Sequence, residues 1–142
     1  MERYGIVSGY FNPIHRGHIE YINAAKKDCD YLIVIINNDI QVKAKGSVQF
    51  MDTKHRSFIV SNLKSVDEIF ISIDNDKTVS KSISMLALDY NDKNLVFYNS
   101  GDRNPENYES QEDIICHKYH IETKFLDLPK IYSSSELKKS VY

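Results

Sequence analysis

Tyr31-Leu32-Ile33-Val34-Ile35-Ile36 is an unbroken apolar run, mostly β-branched. Its length suits a strand, and its lack of alternation means both faces are buried. That is the habit of a central strand in a parallel sheet covered by helices on either side. Shorter runs of the same character stand on both sides: Ile6-Val7, Ile69-Phe70-Ile71, Leu95-Val96-Phe97-Tyr98 and Thr123-Lys124-Phe125-Leu126. Helix-period segments separate them. Ile19, Ile22 and Ala25 share a face in 17–28. Phe58, Ile59 and Leu63 do so in 52–63, behind Asp52 as a cap, and Val79, Ile83 and Leu86 in 78–88. Ser110 and Asp113 have capping-box spacing in 110–119, and Ser133 and Glu136 repeat it in 133–141.

Strict alternation of strand and helix predicts βαβ units. The fold expected is α/β: a doubly wound, Rossmann-like, five-stranded parallel sheet of order 3-2-1-4-5, with residues 1–142 as a single domain. Ligands of such sheets bind at the carboxyl ends of the strands, where the winding reverses beside the first strand. The loops after strands 1 and 4 are therefore the expected chemical ones.

The composition bounds the function. The 142 residues are 42% hydrophobic and 27% charged, with a net charge of −2, which does not suit a protein that coats nucleic acid. No apolar run reaches the length of a membrane span, and the N-terminus lacks the pattern of a signal peptide. Two cysteines, Cys29 and Cys116, are too few for a disulfide framework, so a reducing cytoplasm is expected.

The first loop reads Ser8-Gly9-Tyr10-Phe11-Asn12-Pro13-Ile14-His15-Arg16-Gly17-His18 and runs into a helix. Gly9 permits a tight exit from the strand, and Gly17 permits close approach of backbone at the helix start. A helix N-terminus offers unpaired N–H groups and the positive end of the dipole, a natural phosphate site. His15 and His18, three residues apart, can face one point there. The helix start should disfavour their protonation.

Gly9-x-Phe11-Asn12-x-x-His15-x-Gly17-His18 resembles the GxFDxxHxGH signature of the cytidylyltransferase-like nucleotidyltransferases. That family includes glycerol-3-phosphate cytidylyltransferase, the ADP-heptose-forming adenylyltransferase, FAD synthetases and phosphopantetheine adenylyltransferase. The departure is Asn12, where many members carry Asp. A neutral amide still forms hydrogen bonds, so Asn12 stays among the expected phosphate or substrate contacts. Three further segments match in order. Ile131-Tyr132-Ser133-Ser134-Ser135-Glu136 resembles the family's late ISSTxxR signature, preceded by Lys130. Asp39, Lys43, Lys45 and Arg56 resemble residues that hold acceptor and triphosphate in the glycerol-3-phosphate and heptose branches. Asn99-x-Gly101-Asp102-Arg103 resembles the family's Gly-Asp pair after strand 4.

The resemblance implies nucleotidyl transfer. A phosphate oxygen of a small phosphorylated acceptor attacks the α-phosphorus of a nucleoside triphosphate, and pyrophosphate leaves. His15, His18, Lys43 and Arg56 would be catalytic. Gly9, Tyr10, Phe11, Asn12, Gly17, Gly101, Asp102, Arg103, Lys130, Ser133, Ser134 and Ser135 would bind nucleotide, and Asp39 and Lys45 the acceptor. Mg²⁺ is expected with the triphosphate, held by phosphates and water rather than by protein ligands. CTP is the first choice of nucleotide, with glycerol 3-phosphate or a sugar phosphate as acceptor, and the alternative is an adenylyltransferase using ATP, of the heptose-phosphate, FMN or pantetheine-phosphate type. No membrane or nucleic-acid partner is expected, and a homodimer is implied by small relatives. Two readings of other classes stay open: a nucleotide-binding module without turnover, and a zinc protein built on His15, His18, His117 and His120, with Cys116 beside them.

Overall fold

The structure is a computed structural model that describes residues 2–100, 110–126 and 128. Five strands form one parallel sheet of order β3-β2-β1-β4-β5. They are β1 (Arg3–Gly9), β2 (Tyr31–Ile36), β3 (Glu68–Ile71), β4 (Asn94–Ser100) and β5 (Glu122–Leu126). The connections are helical: α1 (Arg16–Asp28), then the short α2 (Asp39–Ala44) and α3 (Thr53–Ser61), then α4 (Ser80–Asp89) and α5 (Gln111–Lys118). The order expected from alternation is the order observed. The expected terminal helix over 133–141 lies outside the described residues.

Alternate residues of the strands feed two cores. Ile6, Ile33, Ile35, Leu95 and Phe97 pack with Val79, Ile83 and Leu86 around α4, together with Cys116 of α5. Val7, Leu32, Val34, Ile36, Val96 and Tyr98 pack with Ile22 and Ala25 of α1 and Val60 of α3. Because both faces are covered, Leu32 through Ile36 are all 0% exposed, which explains the unbroken apolar run.

Three local expectations are corrected. Ile19 is not on the buried face of α1; it is 36% exposed while Ile22 and Ala25 are sealed. In α3 the inward residues are Arg56, Ser57 and Val60, and Phe58 is 62% exposed. The helix is turned because Arg56 is drawn inward by hydrogen bonds. The segment after β2, expected as a loop, contains α2, capped by a reciprocal pair in which Asn38 takes the Gln41 N–H and Gln41 takes the Asn38 N–H.

Parallel strands end at one edge of the sheet. The loop after β1, the start of α1, and α2 with its flanking loop all lie at that carboxyl edge, beside the reversal between β1 and β4.

Candidate active site

The site begins at Gly9. A Cβ there would stand 2.7 Å from the Phe11 ring, so only glycine lets that ring fold back over the strand end. Phe11 is 1% exposed with φ 53, an unusual backbone state for a bulky residue, held by its burial. Its ring stands nearly perpendicular to that of His18, with centroids 5.1 Å apart.

His15 is the N-cap of α1, and its Nδ1 accepts from the Gly17 N–H at 3.0 Å. His18 Nδ1 accepts from the His15 N–H at 3.2 Å. The two rings stack with centroids 3.8 Å apart. Since each Nδ1 is an acceptor, each neutral ring carries its proton on Nε2. Burial, the neighbouring His15 and the Lys45 charge push His18 down to about 3, so it is neutral at ordinary pH. For His18 protonation is suppressed as expected, but by burial and neighbouring charges rather than by the helix start. Gly17 contributes its backbone N–H to this cap.

Lys45, the C-cap of α2, places its Nζ 4.3 Å from the centre of the Tyr10 ring. Its burial lowers its own proton affinity, and its charge acts on His18. Tyr10, His15, His18 and Lys45 therefore belong to one region. Lys43 is exposed and lines a hollow of about 470 Å³ with Asp39, Ile40, Val42, Ser47 and Gln49.

Arg56 and Asn12 are placed otherwise than expected. Arg56 is 0% exposed. Its guanidinium donates to Met51 O, Tyr10 O, Asn37 O, Asp39 Oδ1 and Thr53 Oγ1, which uses all five of its N–H groups. The anion that a cation at a helix start requires is Asp39, 3.0 Å away, rather than a phosphate. Arg56 thus ties together the loops after β1 and β2 and the start of α3. Asp39 Oδ1 also takes the Thr53 N–H at 2.7 Å, so this carboxylate is part of the same clamp. Asn12 is 1% exposed. Its Nδ2 donates to Val48 O at 2.7 Å, and its Oδ1 accepts from Phe50 N and Met51 N. Its amide holds the 48–51 segment, and a carboxylate could not donate to Val48 O.

Sequence reasoning missed Asn38 and Gln41. Asn38 Nδ2 donates to Ser72 O and Asp74 O, and Gln41 Nε2 to Asp76 O and Thr78 O, so α2 is pinned to the loop after β3. The Asn-x-x-Gln spacing is a capping-box signal that could have revealed it. Gly101, Asp102, Arg103, Lys130, Ser133, Ser134 and Ser135 lie outside the described residues.

The zinc reading is overturned. His117 and His120 precede β5 and so lie at the amino edge of the sheet, whereas His15 and His18 follow β1 at the carboxyl edge. Among the described residues no three His, Cys, Asp or Glu side chains gather in a way that could hold a metal.

The family model described as cytidylyltransferase-like matches residues 6–139. The chain belongs to the cytidylyltransferase-like family. A FAD synthase of Picrophilus torridus is 41% identical over 76 residues, 52% of this chain and 55% of that protein. One from Thermoplasma acidophilum is 34% identical over 91 residues, 62% of this chain and 64% of that one. The bifunctional protein HldE of Helicobacter pylori is 29% identical over 132 residues, 92% of this chain but 26% of HldE. The chain thus spans less than two thirds of the length of these relatives. Among solved structures, a lipopolysaccharide core biosynthesis protein from Thermoplasma volcanium superposes with a TM-score of 0.69 at 18% identity, covering 89% of this chain and 98% of that one. A bifunctional NMN adenylyltransferase/ADP ribose pyrophosphatase from Francisella tularensis, complexed with AMP and a Mn ion, gives 0.67 at 12% identity, covering 99% and 41%. Both support the cytidylyltransferase-like fold.

Proposed function

We propose that this cytidylyltransferase-like chain is an adenylyltransferase that moves AMP from ATP to a small phosphorylated acceptor. The observation that carries the reading is the stacked His15–His18 pair, with both Nδ1 atoms committed to backbone N–H groups at the start of α1. Such rings are neutral Nε2–H donors that need no proton change to meet phosphate oxygens. The acceptor oxygen attacks the α-phosphorus, the bond from that phosphorus to the bridging oxygen breaks, and pyrophosphate departs with the charge. The acceptor brings its own oxyanion, so positioning and charge neutralisation are what the protein must supply. His15 and His18 would donate to the triphosphate, and Lys45 and Lys43 would offset charge on it or on the acceptor phosphate. Asn12, Asp39 and Arg56 would keep the loops in place. Gly101, Asp102, Arg103, Lys130 and Ser133 to Ser135 remain proposed nucleotide contacts by resemblance. Mg²⁺, carried by the triphosphate oxygens, would neutralise part of the charge on the leaving group.

ATP replaces CTP as the first choice because the similar proteins include FAD synthases, HldE and an NMN adenylyltransferase. The same names make FMN and a heptose phosphate the first acceptors to try, ahead of glycerol 3-phosphate. The module without turnover loses its one supporting feature, since Asn12 has a structural use. A homodimer in a reducing compartment completes the proposal. It accords with the free thiols of Cys29 and Cys116.

The test is pyrophosphate release with ATP and CTP against FMN, heptose 1-phosphate and glycerol 3-phosphate. Release with ATP and one of the first two acceptors is the expected result. Release with CTP alone would return the assignment to cytidylyl transfer. Nucleotide binding without release from any pair would favour the binding module.

A further inference from the structure

Tyr21, Tyr31, Tyr90 and Tyr98 all satisfy their hydroxyls within the fold. Tyr21 donates to Tyr98 O at 2.6 Å, Tyr31 to Glu68 at 2.7 Å and Tyr98 to Asp28 at 2.7 Å, and Tyr90 also donates to Glu68. The Tyr10 hydroxyl differs: it is buried and has no partner among the described residues. An unmade hydrogen bond on a buried donor is costly, and one at a ligand crevice calls for an explanation. Tyr10 stands in the loop after β1, with its carbonyl fixed by Arg56 at 2.7 Å. The ammonium of Lys45 sits over its ring.

Resting on the adenylyltransferase reading, we propose that Tyr10 is a specificity residue: its hydroxyl bonds an uncharged hydroxyl or amine of the substrate, and its ring holds Lys45 towards the phosphates. The charges around the phenol fix which part of the substrate it meets. Asp76, after β3, and Glu112, in the first turn of α5, act on the hydroxyl and, with burial as the larger cause, hold its pKa above the usual range. It therefore remains an O–H group. Two carboxylates there repel phosphate and favour a group with hydrogens to donate. The cation is on the ring face, beside His18. A substrate with one anionic end and one polyol or amine-bearing end is thereby oriented. A nucleoside and the organic part of the acceptor are both of this chemistry, and the measurements below separate them.

Tyr10→Phe removes the hydroxyl and keeps the ring; Tyr10→Leu removes both. The probes are inorganic tripolyphosphate, ATP, and the acceptor that supports turnover. For Tyr10→Phe the melting temperature should hold or rise, and tripolyphosphate should stabilise it as it does the wild type. Either the Kd for ATP or the KM for the acceptor should rise about tenfold, by more than kcat falls. For Tyr10→Leu the stabilisation by tripolyphosphate should fall as well, because Lys45 loses its perch. Wild-type values for both substrates in Tyr10→Phe would overturn the hydroxyl's role. So would a melting temperature several degrees lower, which would make the hydroxyl a structural donor. An undiminished tripolyphosphate response in Tyr10→Leu would overturn the ring's role. A wild type that turns over while Tyr10→Phe is unaltered sinks only this inference; a wild type that neither binds nucleotide nor turns over sinks the functional reading too.

Discussion

His15 and His18 lie in stacked contact, 3.8 Å between ring centres, and each is oriented by a backbone N–H of the helix start they share. Two imidazoles this close cannot both be cations at low cost. The structure resolves this by burial, which leaves His18 neutral, and by using Nδ1 of both rings as acceptors. Under the proposed reading the pair would act as a preformed donor surface rather than as an acid–base couple. That role would be separable from the structural task, because the atom that caps is Nδ1 and the proposed donor is Nε2.

His18→Asn tests that separation. The amide oxygen can still accept from the His15 N–H, but nothing remains at the Nε2 position. Turnover should fall by about 10²–10³, the usual loss for one donor to a developing charge. The stability cost should stay near that of altering a cap, about 1 kcal/mol. Both variants lose the ring contacts to Phe11 and His15, but His18→Ala loses the cap acceptor as well, so it should unfold at lower denaturant than His18→Asn while being equally inactive. Paired steady-state kinetics and denaturant titrations distinguish the two losses.

Arg56→Ala should be among the most damaging single changes in the chain. It leaves Met51 O, Tyr10 O and Asn37 O without their donor and Asp39 without its cation. The cost lies in the carbonyls left without a donor in a sealed place, about 1–3 kcal/mol for each buried group unpaired, while Asp39, 45% exposed, can turn to water. Arg56→Lys should rescue little, since one ammonium has three donors in place of five. Chemical denaturation is the measurement. A nearly stable variant that had lost only substrate affinity would return Arg56 to the phosphate-binding role.

Asn12→Asp replaces the donor to Val48 O with an acceptor and brings two oxygens together in a buried place. A loss of about 1–3 kcal/mol follows. Amide exchange at Phe50 and Met51 should speed up, because their partner segment is no longer held from both sides. Unchanged protection at these two amides would show that the amide is not what holds the segment.

Acid sensitivity follows from His18. Its pKa is about 3 in the folded chain against an ordinary value of 6.5, so between those values the unfolded chain binds more protons. Stability contributed by the neutral ring is therefore present above pH 6.5 and is lost progressively as pH falls towards about 3. In denaturation series the gap between wild type and His18→Asn should depend on pH in this window, the wild type losing more stability on acidification. Parallel curves over the upper half of that window would contradict the buried neutral imidazole.

From the sequence alone came the periodicities, and with them the architecture. Unbroken β-branched runs alternating with helix-period segments allow few arrangements, and residues 31–36 could only be central. The position of His15 and His18 at a helix start after β1 was equally legible, because it depends on spacing within one segment. What tertiary structure decided was the direction of polar side chains whose partners are distant in the chain. Arg56 and Asp39 are 17 residues apart, and Asn12 and Val48 are 36 apart. A charged residue in a helix's first turn reads as ligand-binding until the fold supplies a carboxylate of its own. An Asn in place of Asp reads as a weakened contact until a carbonyl is found waiting for its N–H. Local pattern follows from backbone geometry and hydrophobic period, whereas the pairing of buried polar groups is settled only when loops from different strands meet.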